Sequence, residues 1–393
     1  MSTLKVDAIR HNSATSDAIT TASDGTCTAN LTSINGGGRL SHRNKIINGA
    51  MIFSQRGTSF DVNTSSDYTL DRFQLVHSGG ITYDATVTQD SSAPEGFRKS
   101  LKISPDTVET SMSDSENAMI QTKLEGQDCQ DFAFGTSSAK KVTISFYAKS
   151  GSQNNNHQYT LQIRKYDDSN NRNMVNRAFT VTTSWQRYIM TFDGDTAENI
   201  RNDNATGMQI AWHLATGPND IHGASTTFGR TVNNSLYSGV TGQSNFLDNT
   251  NNEFYLTGVQ LEVGDTATTF EHRGYGEELV RCLRYYWRHG RGSGTTSVGI
   301  GMGWASNEVD VPITFPVPMR SEPQLSDQGT GNNYFQVEGA GNPAYIDGNW
   351  TVQFANTYGC NIYAAPDSSV TAGNAYHITM RNSAAYIGFQ AEL

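Results

Sequence analysis

Charged residues are scarce in this chain, and their balance is acidic. Only 17% of the 393 residues are Asp, Glu, Lys or Arg, and the formal net charge is −10. No basic stripe is present to neutralise phosphates, so we expect no general nucleic-acid binding. The basic stretch at 39–45 is predicted to be a solvated linker.

Long apolar runs and clustered cysteines are missing as well. No stretch reaches the roughly 18 apolar residues of a membrane-spanning helix, so no membrane insertion is predicted. The cysteines Cys27, Cys129, Cys282 and Cys360 lie far apart and form no Cys-x-x-Cys pair. This spacing predicts free thiols in a protein made in a reducing cytosol.

Catalytic and metal-binding motifs are also absent from the sequence. It has no Gly-x-Ser-x-Gly, phosphate loop, His-Glu-x-x-His or dinucleotide fingerprint, and its nine histidines are dispersed. We therefore predict a protein that is not an enzyme, without cofactor or bound metal. Two chemistries stay open. A carboxylate pair for glycoside hydrolysis could assemble in the fold, and Asp-rich loops such as 167–168 and 193–195 could bind calcium.

In place of charged residues, the chain is rich in polar turn residues and aromatic residues. The chain has 37 Gly, 17 Tyr and 17 Phe, a composition typical of short strands joined by tight turns. Apolar and polar residues alternate along 142–148 and 159–164, which is the period of a half-buried strand. These patterns predict an all-β protein.

The distribution of these patterns divides the chain into four parts. Residues 1–43 have too few apolar side chains to bury a core, so we predict an anchoring arm, with a floppy leader as the alternative. Residues 44–273 carry about ten predicted strands and are expected to form a jelly-roll-like β-sandwich. A linking helix at 274–290 then leads to a smaller C-terminal β-sandwich at 291–393.

The strongest helical pattern runs from 277 to 288. Acidic residues at its start and arginines toward its end complement the helix dipole. One apolar face of this helix comprises Leu279, Cys282, Leu283 and Tyr286. We predict that this face either packs at a three-fold axis as an oligomer interface or packs on the chain's own sheet.

Aromatic residues crowd the C-terminal part of the sequence. Most of them are expected in a core, but Tyr345 and Tyr358 each stand beside turn residues. Aromatic rings at such loop tips can stack on the apolar faces of sugars. These two tyrosines are therefore the candidate glycan contacts.

Three sets of segments together resemble one protein family. The first set reads NKIINGAMIFSQRGTSF at 44–60 and YTLDRF at 68–73. The second reads LTGVQLEVG at 256–264 and FEHR at 270–273. The third combines YGEEL at 275–279, Cys282 and RYY at 284–286 with FPVPMRSEP at 315–323. As a set they resemble tail-fibre and related appendage proteins of tailed bacteriophages, particularly marine and cyanobacterial ones.

The resemblance implies a virion structural protein that is usually a homotrimer and is assembled in the host cytoplasm. Residues 1–43 would attach it to the tail or to other virion proteins, and its β domains would attach to host surface polysaccharide. The chain has no repeat or long coiled coil, which favours a short tail fibre or receptor-binding appendage. The alternatives are a head fibre or tail adaptor that binds other virion proteins, and a glycan-binding or glycan-degrading jelly-roll protein.

Overall fold

The computed structural model describes residues 6–10, 12, 15, 17–24, 27–29, 41–63, 66–80, 84–230, 238–290, 296–339, 341 and 343–393. Antiparallel strands dominate these residues, so the predicted all-β class is confirmed. Much of the predicted arm at 1–43 lies outside the described residues. Its described part contains the antiparallel strands β1 (Ala8–Ile9), β2 (Ile19–Thr21) and β3 (Cys27–Ala29).

Two large sheets make up the first sandwich. The strands are β4 (Ser59–Val62), β5 (Ser66–Tyr68), β6 (Gln74–Ser78), β7 (Ala85–Asp90), β8 (Ser100–Pro105), β9 (Asn117–Glu125), β10 (Val142–Ser150), β11 (Gln158–Tyr166), β12 (Arg172–Thr180), β13 (Gln186–Phe192), β14 (Thr206–Thr216), β15 (Ile221–His222), β16 (Gly229–Arg230), β17 (Gly239–Val240) and β18 (Phe254–Val263). Short 3-10 turns lie at Gly126–Phe132, Pro218–Asp220 and Phe246–Asp248.

These strands form a jelly-roll-like sandwich, as the sequence predicts. One sheet has the order β13-β10-β18-β8-β7-β4 and the other has the order β16-β12-β11-β14-β9-β6-β5. Alternate residues of both sheets point into one core, where Phe146 of β10 meets Trp212 of β14 edge to face at 5.6 Å between ring centroids. Strands β15 and β17 form a separate parallel pair, of which β17 packs on the outer face of the second sheet, against β11, β12 and β14.

The helix is shorter than the sequence predicts. It spans α1 (Tyr275–Leu283), and the chain then extends into β19 (Tyr286–His289). The predicted helical turn up to 288 is therefore wrong, because Tyr286 and the residues after it pair with a strand near residue 390 instead. Among the described residues, no helix has the length and apolar character needed to cross a bilayer.

A smaller β unit follows. Its strands are β20 (Thr296–Ala305), β21 (Glu308–Thr314), β22 (Gln324–Gln328), β23 (Phe335–Glu338), β24 (Ala344–Ile346), β25 (Thr351–Gln353), β26 (Gly359–Ala364), β27 (Ala375–Met380) and β28 (Ile387–Gln390). One sheet has the order β24-β23-β27-β20-β21-β26-β25, which we call the terminal sheet, and a three-stranded sheet has the order β19-β28-β22. The two sheets enclose a second core, in which Trp287 stacks on Phe389 at 5.5 Å.

Candidate binding surface

The segments that carry the family resemblance meet in space at the junction between the two sandwiches. The side-chain amide of Asn48 donates to the carbonyl oxygens of Phe53 at 2.8 Å and Asp71 at 2.9 Å. The carboxylate of Asp71 accepts from the backbone and side-chain amides of Gln55. Gln55 also donates to the carbonyl oxygen of Tyr286 at 2.9 Å. The first set of segments thus holds β19 against the first sandwich.

The other two sets complete the same junction. The guanidinium of Arg273 donates to the carbonyl oxygen of Ile46 at 2.9 Å and pairs with Glu278 of α1 at 3.0 Å. The backbone amide of Arg320 donates to the carbonyl oxygen of Arg284, just after the helix, at 2.8 Å. These residues serve as the frame that joins the sandwiches, and their polar groups are used within the chain.

A buried ion network reinforces this frame. Arg72 pairs with Glu392, and each of these side chains is only 2% exposed. Arg56 pairs with the same carboxylate at 3.3 Å. The guanidinium of Arg72 lies 3.5 Å from the ring centroid of Tyr285, and that of Arg56 lies 3.8 Å from the ring centroid of Tyr286. Charge pairing and cation–π contact therefore link the first sandwich, the residues just after the helix and Glu392, which follows β28.

Two of the four predicted interface residues are enclosed by the chain itself. Cys282 and Tyr286 are buried, and Tyr286 lies on β19 rather than on the helix. Leu279 and Leu283 are half-buried, while Tyr275 and Val280 are exposed on the helix surface. Packing on the chain's own β structure accounts for the first pair, and a subunit contact through Leu279 and Leu283 stays a prediction.

An exposed apolar strip lies on the outer face of the terminal sheet. It consists of Ile300, Met302 and Trp304 on β20, the central strand, and Trp304 is 65% exposed. Glycines alternate with these residues and face the interior. A Cβ at Gly301 would lie 2.6 Å from the backbone oxygen of Asp310 on β21. A Cβ at Gly303 would lie 2.5 Å from the backbone oxygen of Thr371. Glycine is therefore required on the inward face, and three apolar side chains face outward.

Polar groups border the apolar strip on both sides. On β27, His377 lies 3.6 Å from the carboxylate of Glu338. On β21, Asp310 accepts a hydrogen bond of 3.0 Å from the side-chain amide of Gln353, and burial raises the pKa of its carboxyl group. The strip therefore combines an apolar centre with neighbouring groups that can donate and accept hydrogen bonds.

The predicted glycan contacts lie apart from each other. Tyr345 is half-buried on the edge strand β24, opposite Gln336, and its register places it on the same face as the apolar strip. The guanidinium of Arg381 lies 5.8 Å from its ring centroid. Tyr358 is exposed in the turn before β26, toward the opposite edge of the terminal sheet. The structure does not bring the two tyrosines together.

Sequence reasoning missed the apolar strip although a signal was present. Residues 298–304 read VGIGMGW, in which every second residue is apolar and the others are glycine. That pattern predicts a strand, but it does not show which face is covered, because both faces lack polar side chains. The exposed position of Trp304 follows only from the glycine contacts across the sheet.

The outer face of the seven-stranded sheet in the first sandwich is polar but closed. The side-chain amide of Gln209 donates to Gln121, and that of Gln121 donates to Gln74, each at 2.6 Å. His213, on the same face, is fully buried beneath the end covered by β17, and neither ring nitrogen has a hydrogen-bond partner. Burial, helped by the charge of Arg164, lowers the pKa of His213 to about 3. Gln121, Gln209 and His213 are therefore buried within the chain.

The Asp-rich loops use their carboxylates within the protein. Asp195 pairs with Lys165 at 2.9 Å, and Asp193 pairs with Lys141 at 3.2 Å. Asp167 accepts hydrogen bonds from two backbone amides of its own turn. In the part of the chain that the structure describes, no three His, Cys, Asp or Glu side chains are grouped so that they could hold a metal ion.

Comparisons with known proteins find β folds of low similarity. No family model matches the sequence, and no curated protein matches it. Among solved structures, the enzymatically active domain of tailspike protein 4 from bacteriophage CBA120 is similar at 14% identity and a TM-score of 0.31. The match covers 56% of this chain and 21% of that domain, so this chain spans about a fifth of the length of the tailspike domain.

Two similar structures come from carbohydrate-binding modules. The family 11 module of a cellulosomal cellulase from Clostridium thermocellum has 11% identity and a TM-score of 0.27, over 53% of this chain and 97% of the module. The N-terminal CBM22-1–CBM22-2 tandem domain from Paenibacillus barcinonensis has 10% identity and a TM-score of 0.29, over 90% of this chain and 100% of the tandem. At these scores, no function is transferred from any of the three to this chain.

Proposed function

We propose that this chain is a non-enzymatic glycan-binding protein and that the apolar strip with its polar border holds the glycan. The observation that carries the proposal is the 65% exposure of Trp304 near the end of the central strand β20. It lies in line with Met302, which pairs with Asp310, and with Ile300, which pairs with His377. Exposure of an aromatic ring to water costs free energy, and a partner that covers the ring removes this cost. A sugar ring fits, because one face presents C–H groups and its edge presents hydroxyls.

We further propose that the protein is a short tail fibre or related receptor-binding appendage of a phage virion. The sequence resemblance supports this, and so does the position of the resembling segments, which build one frame between two β units. In this proposal, residues 1–43 attach the chain to the virion and three copies assemble. Three weak glycan sites on one trimer would gain avidity without any new contact.

Replacement of Trp304 by alanine tests the glycan site. We expect Trp304→Ala to weaken binding to an array of bacterial surface polysaccharides by about tenfold or more, equivalent to about 1.4 kcal/mol. The melting temperature should hardly change, because the ring is mostly exposed. The variant Val280→Ala, which removes an exposed apolar side chain from the helix, is the matched control. Unchanged binding by Trp304→Ala would contradict the proposed site, and a fall in native mass would make the strip a subunit contact instead.

The native mass of the full-length protein tests the appendage proposal. We expect light scattering to give a trimer of about 129 kDa, three times the chain mass of 42.9 kDa. Leu283→Asp, at a half-buried position of α1, should then shift the mass toward that of the monomer if the helix forms the contact. A stable monomer at micromolar concentration would contradict the trimer and leave only the glycan-binding proposal.

A further inference from the structure

A cleft opens between the two sheets of the smaller β unit. It lies between the edge strands β22 and β25 and is lined by residues 322–325 and 350–355. Its volume is about 350 Å³, within the range of small-ligand sites. Glu322, Gln324 and Gln353 are polar residues of its lining, and Leu325 is an apolar one.

Phe354 lies at the side of this cleft, and both its backbone conformation and its exposure to water cost free energy. Its backbone has a φ of 51°, in the left-handed region that a bulky L-residue rarely adopts. Its ring is 79% exposed, so burial gives no compensation for that conformation. An outlier of this kind is a reason to look for a function, since the stability of the free fold does not explain it.

Trp350 forms part of the cleft wall and carries an unsatisfied polar group. The residue is 3% exposed and its indole N–H has no acceptor. The backbone amide of Trp350 donates to Gln328 at 2.7 Å, and its ring lies edge-on to Phe335 at 5.4 Å, so its position is fixed. Most buried indole N–H groups find a partner. Trp350 therefore gives the cleft a fixed aromatic wall, and its N–H is enclosed by the chain.

We propose that this cleft is a second saccharide subsite, in which one sugar ring stacks on Phe354 and its hydroxyls meet the amide and carboxylate groups of the lining. The proposal rests on the glycan-binding function and extends it. Gln353 lines the cleft and also donates to Asp310 beside the apolar strip. β20 and β25 are three strand positions apart, roughly 14 Å measured across the strands. Trp304 lies at the Glu308 end of β21 and Phe354 toward its Thr314 end, so one extended oligosaccharide would cross the sheet diagonally from one to the other.

The variant Phe354→Asn tests this subsite because asparagine tolerates positive φ better than phenylalanine does. We expect its melting temperature to equal or exceed that of the wild type, while its affinity for long glycans falls by about tenfold or more. The probe is the bacterial surface polysaccharide array with oligosaccharide fragments graded from disaccharides upward. Fragments too short to reach Phe354 from Trp304 should bind the variant and the wild type equally.

The outcomes separate this proposal from the proposed function. Val108→Asn is the control, since Val108 is an exposed apolar residue of the first sandwich that does not line the cleft. A lower melting temperature of Phe354→Asn, or equal losses of affinity in both variants, would overturn the subsite. If Trp304→Ala loses binding while Phe354→Asn binds fragments of every length as the wild type does, the subsite is overturned and the proposed function stands. Absence of glycan binding by the wild type would overturn both.

Discussion

Replacing Arg72 with methionine is expected to lower the free energy of unfolding by about 3–5 kcal/mol. Arg72 lies between the ring of Tyr285 and the carboxylate of Glu392, and it donates to the carbonyl oxygen of Lys123 at 2.6 Å. Its removal leaves Glu392 buried with Arg56 as its remaining ion-pair partner. Urea denaturation of the full-length protein, followed by circular dichroism, measures the loss.

The double variant Arg72→Met/Glu392→Met is the internal control for this prediction. It should recover part of the loss, because an apolar pair replaces a buried ion pair at less cost than an unpaired buried charge. Arg281→Met provides a surface control, since its pair with Glu277 is exposed and should contribute little. Additive losses from the two single substitutions would show that Arg72 and Glu392 act independently and would contradict the network.

The strands could be predicted from the sequence, but the end of the helix at the junction could not. The alternation at 159–164 and the glycine-separated pattern at 298–304 predict β11 and β20, because such periods depend only on neighbouring residues. The extent of the helix could not be predicted in this way. Tyr286 fits the apolar helix face by spacing, yet β28, about a hundred residues later in the chain, offers it hydrogen bonds as a strand. That competition is non-local, and the helix ends at Leu283.

The candidate site depended on features that residue patterns do not encode. Tyr345 and Tyr358 are aromatic residues beside turn residues, and the structure places only Tyr345 on the face of the apolar strip. Trp304 is exposed because close backbone contacts at Gly301 and Gly303 fix which side of β20 faces inward. Phe354 stands out only through its positive φ, which no sequence rule assigns to phenylalanine. Exposure and backbone strain, rather than residue type, therefore identify this surface.

Acid is expected to destabilise the protein through His213, and His213→Leu should reduce this effect. The ordinary histidine pKa of about 6.5 applies in the unfolded chain, whereas burial lowers the pKa of folded His213 to about 3. Below pH 6.5 the unfolded state therefore binds the proton and the folded state does not. The free energy of unfolding therefore decreases progressively as the pH is lowered from 6.5 to about 3. Between pH 7 and pH 4 this amounts to about 3 kcal/mol, since each pKa unit corresponds to about 1.4 kcal/mol.

Denaturation of the wild type and of His213→Leu at pH 7 and pH 4 measures this difference. At pH 7 the variant should be at least as stable, because both imidazole nitrogens are buried without partners and leucine has no polar group to satisfy. His77, whose pKa burial lowers to about 4, remains in the variant and should retain part of the acid sensitivity. Ile189→Leu, at an exposed residue that carries no titratable group, serves as the control and should leave the pH dependence unchanged. Equal loss of stability with acid in the wild type and in His213→Leu would mean that His213 accepts a proton in the folded state. The outer face of the seven-stranded sheet would then be open to water rather than closed by β17.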